Sequence, residues 1–310
     1  MKARKKSTSV RQKICEERKS ERRMGMIVTV AILVAIISIS VVIINSVLNP
    51  PSTNQAVSST SEPKAAIVDQ LSLTYPNQTF RETATSTLRQ AGYIVDYYAG
   101  EEVTVEFYRN LPTHGYGLII LRVHSSAAEL EGKEFVETPV GIFTSESYSQ
   151  TKYAYEQLTD QLLMASYTMP QHPYYFAIVP KFVTSGMKGI FQNTIIIMMG
   201  CEGLNNTKMA EAFIQKGAKT YIGRKGSVLA SHTDLATVHL LQHFVIEKQT
   251  LRTAINETIQ EVGADPVYHS LLTYFPLETG YYTIQNMDPV RSGTSEQNIS
   301  SITLLRSLGF

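Results

Sequence analysis

The stretch "TIIIMMGC" (194–201) limits the fold more than any other part of the chain, because it is a strand-forming run with no polar alternation. A strand with one wet face alternates apolar and polar residues, whereas one apolar on both sides must be covered on both sides, as in the middle of a parallel sheet sandwiched by helices. The neighbouring segments keep the matching rhythm. "KAAIVDQL" (64–71) reads as a short buried strand, and residues 76–92 as a helix with Thr79 and Glu82 in capping-box spacing and Gly92 at its end. "YIVDYY" (93–98) is a second strand, and residues 103–112 a short helix ended by Pro112. "YGLIILRVHSS" (116–126) is a third strand whose apolar run ends at His124. Beyond "TIIIMMGC", a helix over 207–218 closes at Gly217 and a strand follows over 219–226. One long helix over 233–260 has Leu235, Val238, Leu241, Val245, Leu251, Ile255 and Ile259 on apolar spacing. Strands alternating with helices imply an α/β fold, a mostly parallel sheet joined by right-handed crossovers.

The alternation starts only at residue 64. Residues 26–48 hold no charge over 23 positions and, as a helix, reach roughly 34 Å, enough to cross a bilayer. Residues 1–25 carry ten Lys or Arg against three Glu, so the positive-inside rule puts this basic tail in the cytoplasm and the rest of the chain outside the cell. No A-x-A site follows the long apolar run, which favours an uncleaved signal-anchor over a signal peptide. Residues 49–63, rich in Pro, Ser, Thr, Asn and Gln, read as a flexible stalk, leaving 64–310 as one α/β domain with an insertion at about 127–192.

Taking the tail's ten basic and three acidic residues from the chain's 28 and 27 leaves 18 against 24, a balance of −6. A mildly acidic domain does not suit nucleic acid, which selects a basic stripe. "GRKGS" (223–227) lacks P-loop spacing, so no nucleotide is expected.

The chain has two cysteines, and the membrane separates Cys15 inside from Cys201 outside, so they cannot pair. A lone exported cysteine is an inert buried thiol, an intermolecular bridge or a nucleophile. His124 and Cys201 both fall at the carboxyl ends of strands, where open α/β sheets gather their sites. An imidazole within reach of a thiol can take its proton and later protonate a leaving group. If their strands are neighbours, the two residues form a dyad.

The order strand, "VHSS", long insertion, apolar strand into "GCEG", helix into "KGAKTYIG", then a final helix with "TLRTAINET" resembles the caspase-like cysteine peptidase fold, above all its gingipain and CHAT-domain branches, over residues 64–262. The resemblance implies a three-layer fold with helices on both faces of the sheet and an anchored extracellular cysteine endopeptidase. His124 matches the family base, Cys201 the nucleophile and Glu202 the acidic residue after it. Backbone N–H groups near Ser125 and Cys201 match the oxyanion hole. The family commonly has glycine directly after the histidine, where this chain has Ser125 followed by Ser126, and alanine where it has Gly200. The partner implied is a protein or peptide substrate, with no cofactor. The alternative is a non-catalytic interaction domain of the same fold at the cell surface. A more distant option is a Rossmann-like ligand domain with a pocket lined by Asp69 and Arg224.

Asp69 ends the first strand and either supports the dyad or caps a turn. In the insertion, extended stretches fall around Pro139 and Gly141, a helix over 152–164 and a strand over 174–180, with tyrosines and serines walling the site. Glu134, Glu137 and Glu146 are the acidic candidates for a pocket that selects Arg or Lys, against solvated surface charge. His232, His239 and His243 lack the acidic residue of H-E-x-x-H, so they read as packing or surface histidines and no metal is expected. Asn-x-Ser/Thr triplets stand at Asn77, Asn205, Asn256 and Asn298, and a glycan at Asn205 would crowd the cysteine loop.

Overall fold

A computed structural model describes residues 62–128, 138–166 and 173–287. The basic tail, the anchor segment 26–48, most of the stalk, Glu134, Glu137 and Asn298 lie outside the described residues. Among the described residues no helix is long and apolar enough to cross a membrane.

In chain order the elements are β1 (Lys64–Asp69), α1 (Gln78–Gln90), β2 (Ile94–Ala99), α2 (Val105–Asn110), β3 (Leu118–Arg122), β4 (Ser125–Ala127), β5 (Val140–Ser147), α3 (Ala154–Leu158), β6 (Leu162–Ala165), β7 (Tyr175–Ile178), β8 (Thr194–Met198), α4 (Lys208–Gln215), β9 (Ala218–Arg224), α5 (Ala230–Leu241), α6 (Leu251–Val262), β10 (Leu272–Phe275) and α7 (Ile284–Met287). Six strands form the main sheet in the order β10-β9-β8-β3-β1-β2, parallel except for the edge strand β10. The expected mixed α/β architecture with a mostly parallel sheet is therefore present.

Strands β1, β3 and β8 are buried at nearly every position, as their unbroken apolar runs require. Successive residues face opposite ways and enter two separate cores. Ala66, Val68, Ile119, Leu121, Ile196 and Met198 pack with α2, α4 and the second sheet. Ala65, Ile67, Leu118, Ile120, Ile195 and Ile197 pack under α1, α5 and α6.

Several local expectations are corrected. The cap of α1 is Asn77, whose side chain accepts from Phe80 N at 3.0 Å, so the Thr79–Glu82 box is not used. The third strand stops at Arg122, and Ser125–Ala127 belongs to a separate antiparallel sheet of order β4-β5-β7-β6. The insertion thus builds a second sheet: β5 is a single strand, and the 152–164 segment is the short α3 followed by β6. The long final helix is two. After a π turn over Gln242–Ile246 the chain breaks with Lys248 left-handed, and Thr250 caps α6 by accepting from Thr253 N. Leu235, expected on the buried stripe of α5, is half exposed, while Thr233, Asp234, Ala236, Thr237 and Leu240 face inward.

Candidate functional site

The position of His124 follows from where two sheets meet. Leu121 pairs with Met198 in the parallel β3–β8 ladder, and Met199 N donates to Leu121 O at 2.9 Å. His124 and Cys201 each stand three residues beyond that paired level, on neighbouring strands and at their carboxyl ends. The chain leaves the main sheet at Arg122 and enters the second at Ser125, which leaves His124 in the two-residue link. Its backbone is tied on both sides: His124 N donates to the buried Gln70 Oε1 at 3.0 Å, and Phe143 N donates to His124 O at 2.9 Å.

Both side chains line one cavity of about 690 Å³. Its walls come from the loop after β1 (Leu71, Thr74, Tyr75), from the second sheet and the residue after β6 (Phe143, Tyr175, Ser166) and from the segment entering α5 (Ser227 to Ala230). Of the insertion's tyrosines Tyr175 faces the cavity, whereas Tyr148 and Tyr153 pack on Phe176. Glu146 is not part of it. That carboxylate accepts from Val105 N at the start of α2 and pairs with Lys152.

In this conformation His124 Nε2 meets Thr74 Oγ1 at 3.0 Å, and Cys201 Sγ lies 3.6 Å from Val228 O and 3.5 Å from Val228 N. Burial, reinforced by the Arg122 guanidinium, pushes the His124 pKa down to about 4. Burial pushes the Cys201 thiol up, the Val228 N–H opposes this, and the Glu202 carboxylate adds to the rise. At neutral pH the resting pair is therefore an uncharged imidazole and an uncharged thiol.

Glu202 ties its own loop to β4 and to the segment after β9. Its Oε2 accepts from Ala127 N at 2.9 Å and its Oε1 from Ser227 Oγ at 3.2 Å. Its backbone is left-handed at φ 61°, uncommon for a side-chain-bearing residue, and is held by Glu202 N donating to Gly226 O at 2.8 Å. Ser125 is buried, and its hydroxyl donates to Cys201 O at 2.5 Å. A Cβ at Gly200 would collide with that same Ser125 hydroxyl, with Val123 O at 2.6 Å and with Met198 Cε at 2.7 Å. Ser125 and Gly200 thus fill one space between them.

Asp69 is not hydrogen-bonded to His124 or Cys201. It is engaged by Arg122, a fully buried cation that sequence reasoning passed over. Arg122 Nη1 donates to Asp69 Oδ1 at 2.7 Å, while Nε and Nη2 donate to the two oxygens of Asp234 at 2.7 and 2.8 Å. Tyr97 and Asn77 complete the two carboxylates with neutral donors, and Arg122 Nη2 also donates to Tyr75 O. The signal was present in the sequence, since an arginine inside a run apolar on both faces must have buried acidic partners. Asn77 is thereby committed to a cap and to Asp234, and the Asn205 Nδ2 atom is buried, so neither offers a free acceptor, while Asn256 is exposed. Neither Asp69 nor Arg224 lines that cavity: they sit on β1 and β9 with β3 and β8 between, and Arg224 Nη1 donates to Ser270 O.

The fold and site define an α/β protein with a thiol and an imidazole at the carboxyl edge of a parallel sheet. No family model matches this chain, and no curated protein matches its sequence.

Proposed function

We propose that the domain is a cysteine endopeptidase of the caspase-like kind, with Cys201 as nucleophile and His124 as base. The observation that carries this reading is the equal advance of His124 and Cys201 past one paired level of adjacent parallel strands, at a shared cavity. The chemistry starts from the uncharged pair. His124 turns from Thr74 toward Sγ and takes the thiol proton as sulfur attacks the peptide carbonyl. The same proton then goes to the departing amine, and water releases the acyl group from sulfur. Backbone N–H groups near Ser125 and Cys201 serve the oxyanion. Residues 26–48 anchor the chain, with the tail in the cytoplasm and the domain outside the cell facing protein or peptide substrates.

A second reading, an interaction domain without catalysis, is favoured by one observation: sulfur and imidazole each hold another partner, Val228 and Thr74. An electrophilic peptide probe separates the two. On the peptidase reading it labels Cys201 at pH 7.5, and His124→Ala slows labelling by at least about 100-fold with the fold intact. Equal labelling rates in parent and variant would remove the peptidase reading and leave the interaction domain.

A further inference from the structure

Where α5 passes into the π turn, two histidines one turn apart meet carboxylates from α6. His239 Nδ1 lies 2.6 Å and His243 Nε2 2.9 Å from the same oxygen, Glu261 Oε2. The other ring nitrogen of His243 faces Glu247 at 3.0 Å and Glu257 at 3.4 Å. His243 is nearly buried, while His239 and Glu261 keep 37% and 46% of their side chains exposed. A neutral imidazole has one N–H and one lone pair. With carboxylates at both nitrogens of His243, one contact sets a lone pair against an oxygen unless a cation stands between them. That cation is either a second proton or a metal ion.

We propose that His239, His243 and Glu261 bind a divalent transition-metal ion, zinc by the chemistry of the donors, with Glu247 and Glu257 accepting the remaining N–H of His243. The three donor atoms lie within 4.8 Å of one another. Tetrahedral zinc with bonds of about 2.0–2.2 Å spaces its donors roughly 3.4 Å apart, so the two imidazole–Glu261 contacts widen by less than about 1 Å. Two imidazoles and a carboxylate are a set zinc accepts with a fourth position open to water, and a carboxylate behind a ligating histidine fixes its tautomer and raises its basicity. The sequence hid this set because the carboxylates follow on the next helix instead of between the histidines. A bound ion would clamp α5 to α6, and nothing in this proposal depends on the dyad.

The test uses the full-length chain, stripped by chelator and titrated with Co²⁺. The expected result is the visible absorption of a four-coordinate cobalt site saturating at one equivalent, displaced by Zn²⁺, with a melting temperature about 5 °C higher under saturating Zn²⁺. Cys201→Ser retains the signal, whereas His239→Ala and Glu261→Gln, both at partly exposed positions, each weaken binding at least tenfold while keeping the circular dichroism of the parent. Absence of a one-equivalent site overturns the proposal, as does a signal lost in Cys201→Ser or one unchanged in both ligand variants.

Discussion

At the residue scale the notable economy is the pair Ser125 and Gly200. Ser125 closes against the glycine that precedes Cys201. The Ser125 hydroxyl occupies the place of a Cβ at 200, so the two residues are fitted to each other. Gly200→Ala alone is expected to cost about 1–3 kcal/mol by overpacking. Adding Ser125→Gly recovers part of that loss, and Val123 O limits the recovery; a double-mutant cycle of denaturant unfolding measures the coupling, which is absent if the two sites are independent. The titration of Cys201 gives a second expectation at this scale. The thiol is raised, so a small uncharged alkylating agent reacts with Cys201 faster as pH climbs from 7 toward 9, with no low-pH plateau of the kind a preformed thiolate–imidazolium pair gives.

Among the elements, Arg122 does the joining. It holds β1 through Asp69, α5 through Asp234 and the loop before α1 through Tyr75 O. Arg122→Met leaves two buried carboxylates facing each other without their shared cation, and a loss of about 3–5 kcal/mol is expected in urea unfolding. The same pairing explains why α5 turns inward a different face from the one its apolar spacing predicts. Apolar periodicity predicts Leu235 inward, but Asp234 has to reach a buried guanidinium, and that rotation turns Leu235 to solvent. A hydrophobic stripe is a sum of weak preferences, and one buried ion pair outweighs it. The break between α5 and α6 was legible in principle from Thr250, a capping residue three before Thr253, yet the apolar spacing on either side conceals it.

For the whole molecule, pH dependence follows from the buried imidazole. His124 titrates near 6.5 when unfolded and at about 4 when folded. As pH falls below 6.5 the unfolded chain takes up a proton that the folded one refuses until about pH 4, so this group favours unfolding across that window. The loss reaches at most about 3 kcal/mol, and His124→Asn is expected to flatten the stability profile between pH 6.5 and 4 relative to the parent. Equal profiles would show that the imidazole is not held neutral by the fold.

The sequence by itself determined the layered architecture and the existence of strands β1, β2, β3, β7, β8 and β9, because unbroken apolar runs and helix periodicity are local patterns that admit one way of hiding from water. It also placed His124 and Cys201 near strand ends. Only the tertiary structure decided that their strands are neighbours in matching register, that Arg122 closes on Asp234 112 positions away, that the insertion forms its own sheet, and that two histidines meet carboxylates from the next helix. Burial is written in the spacing of residues along a segment. Which charged or reactive groups meet depends on crossovers and strand register, and those are settled when the cores on both faces of the sheet close together.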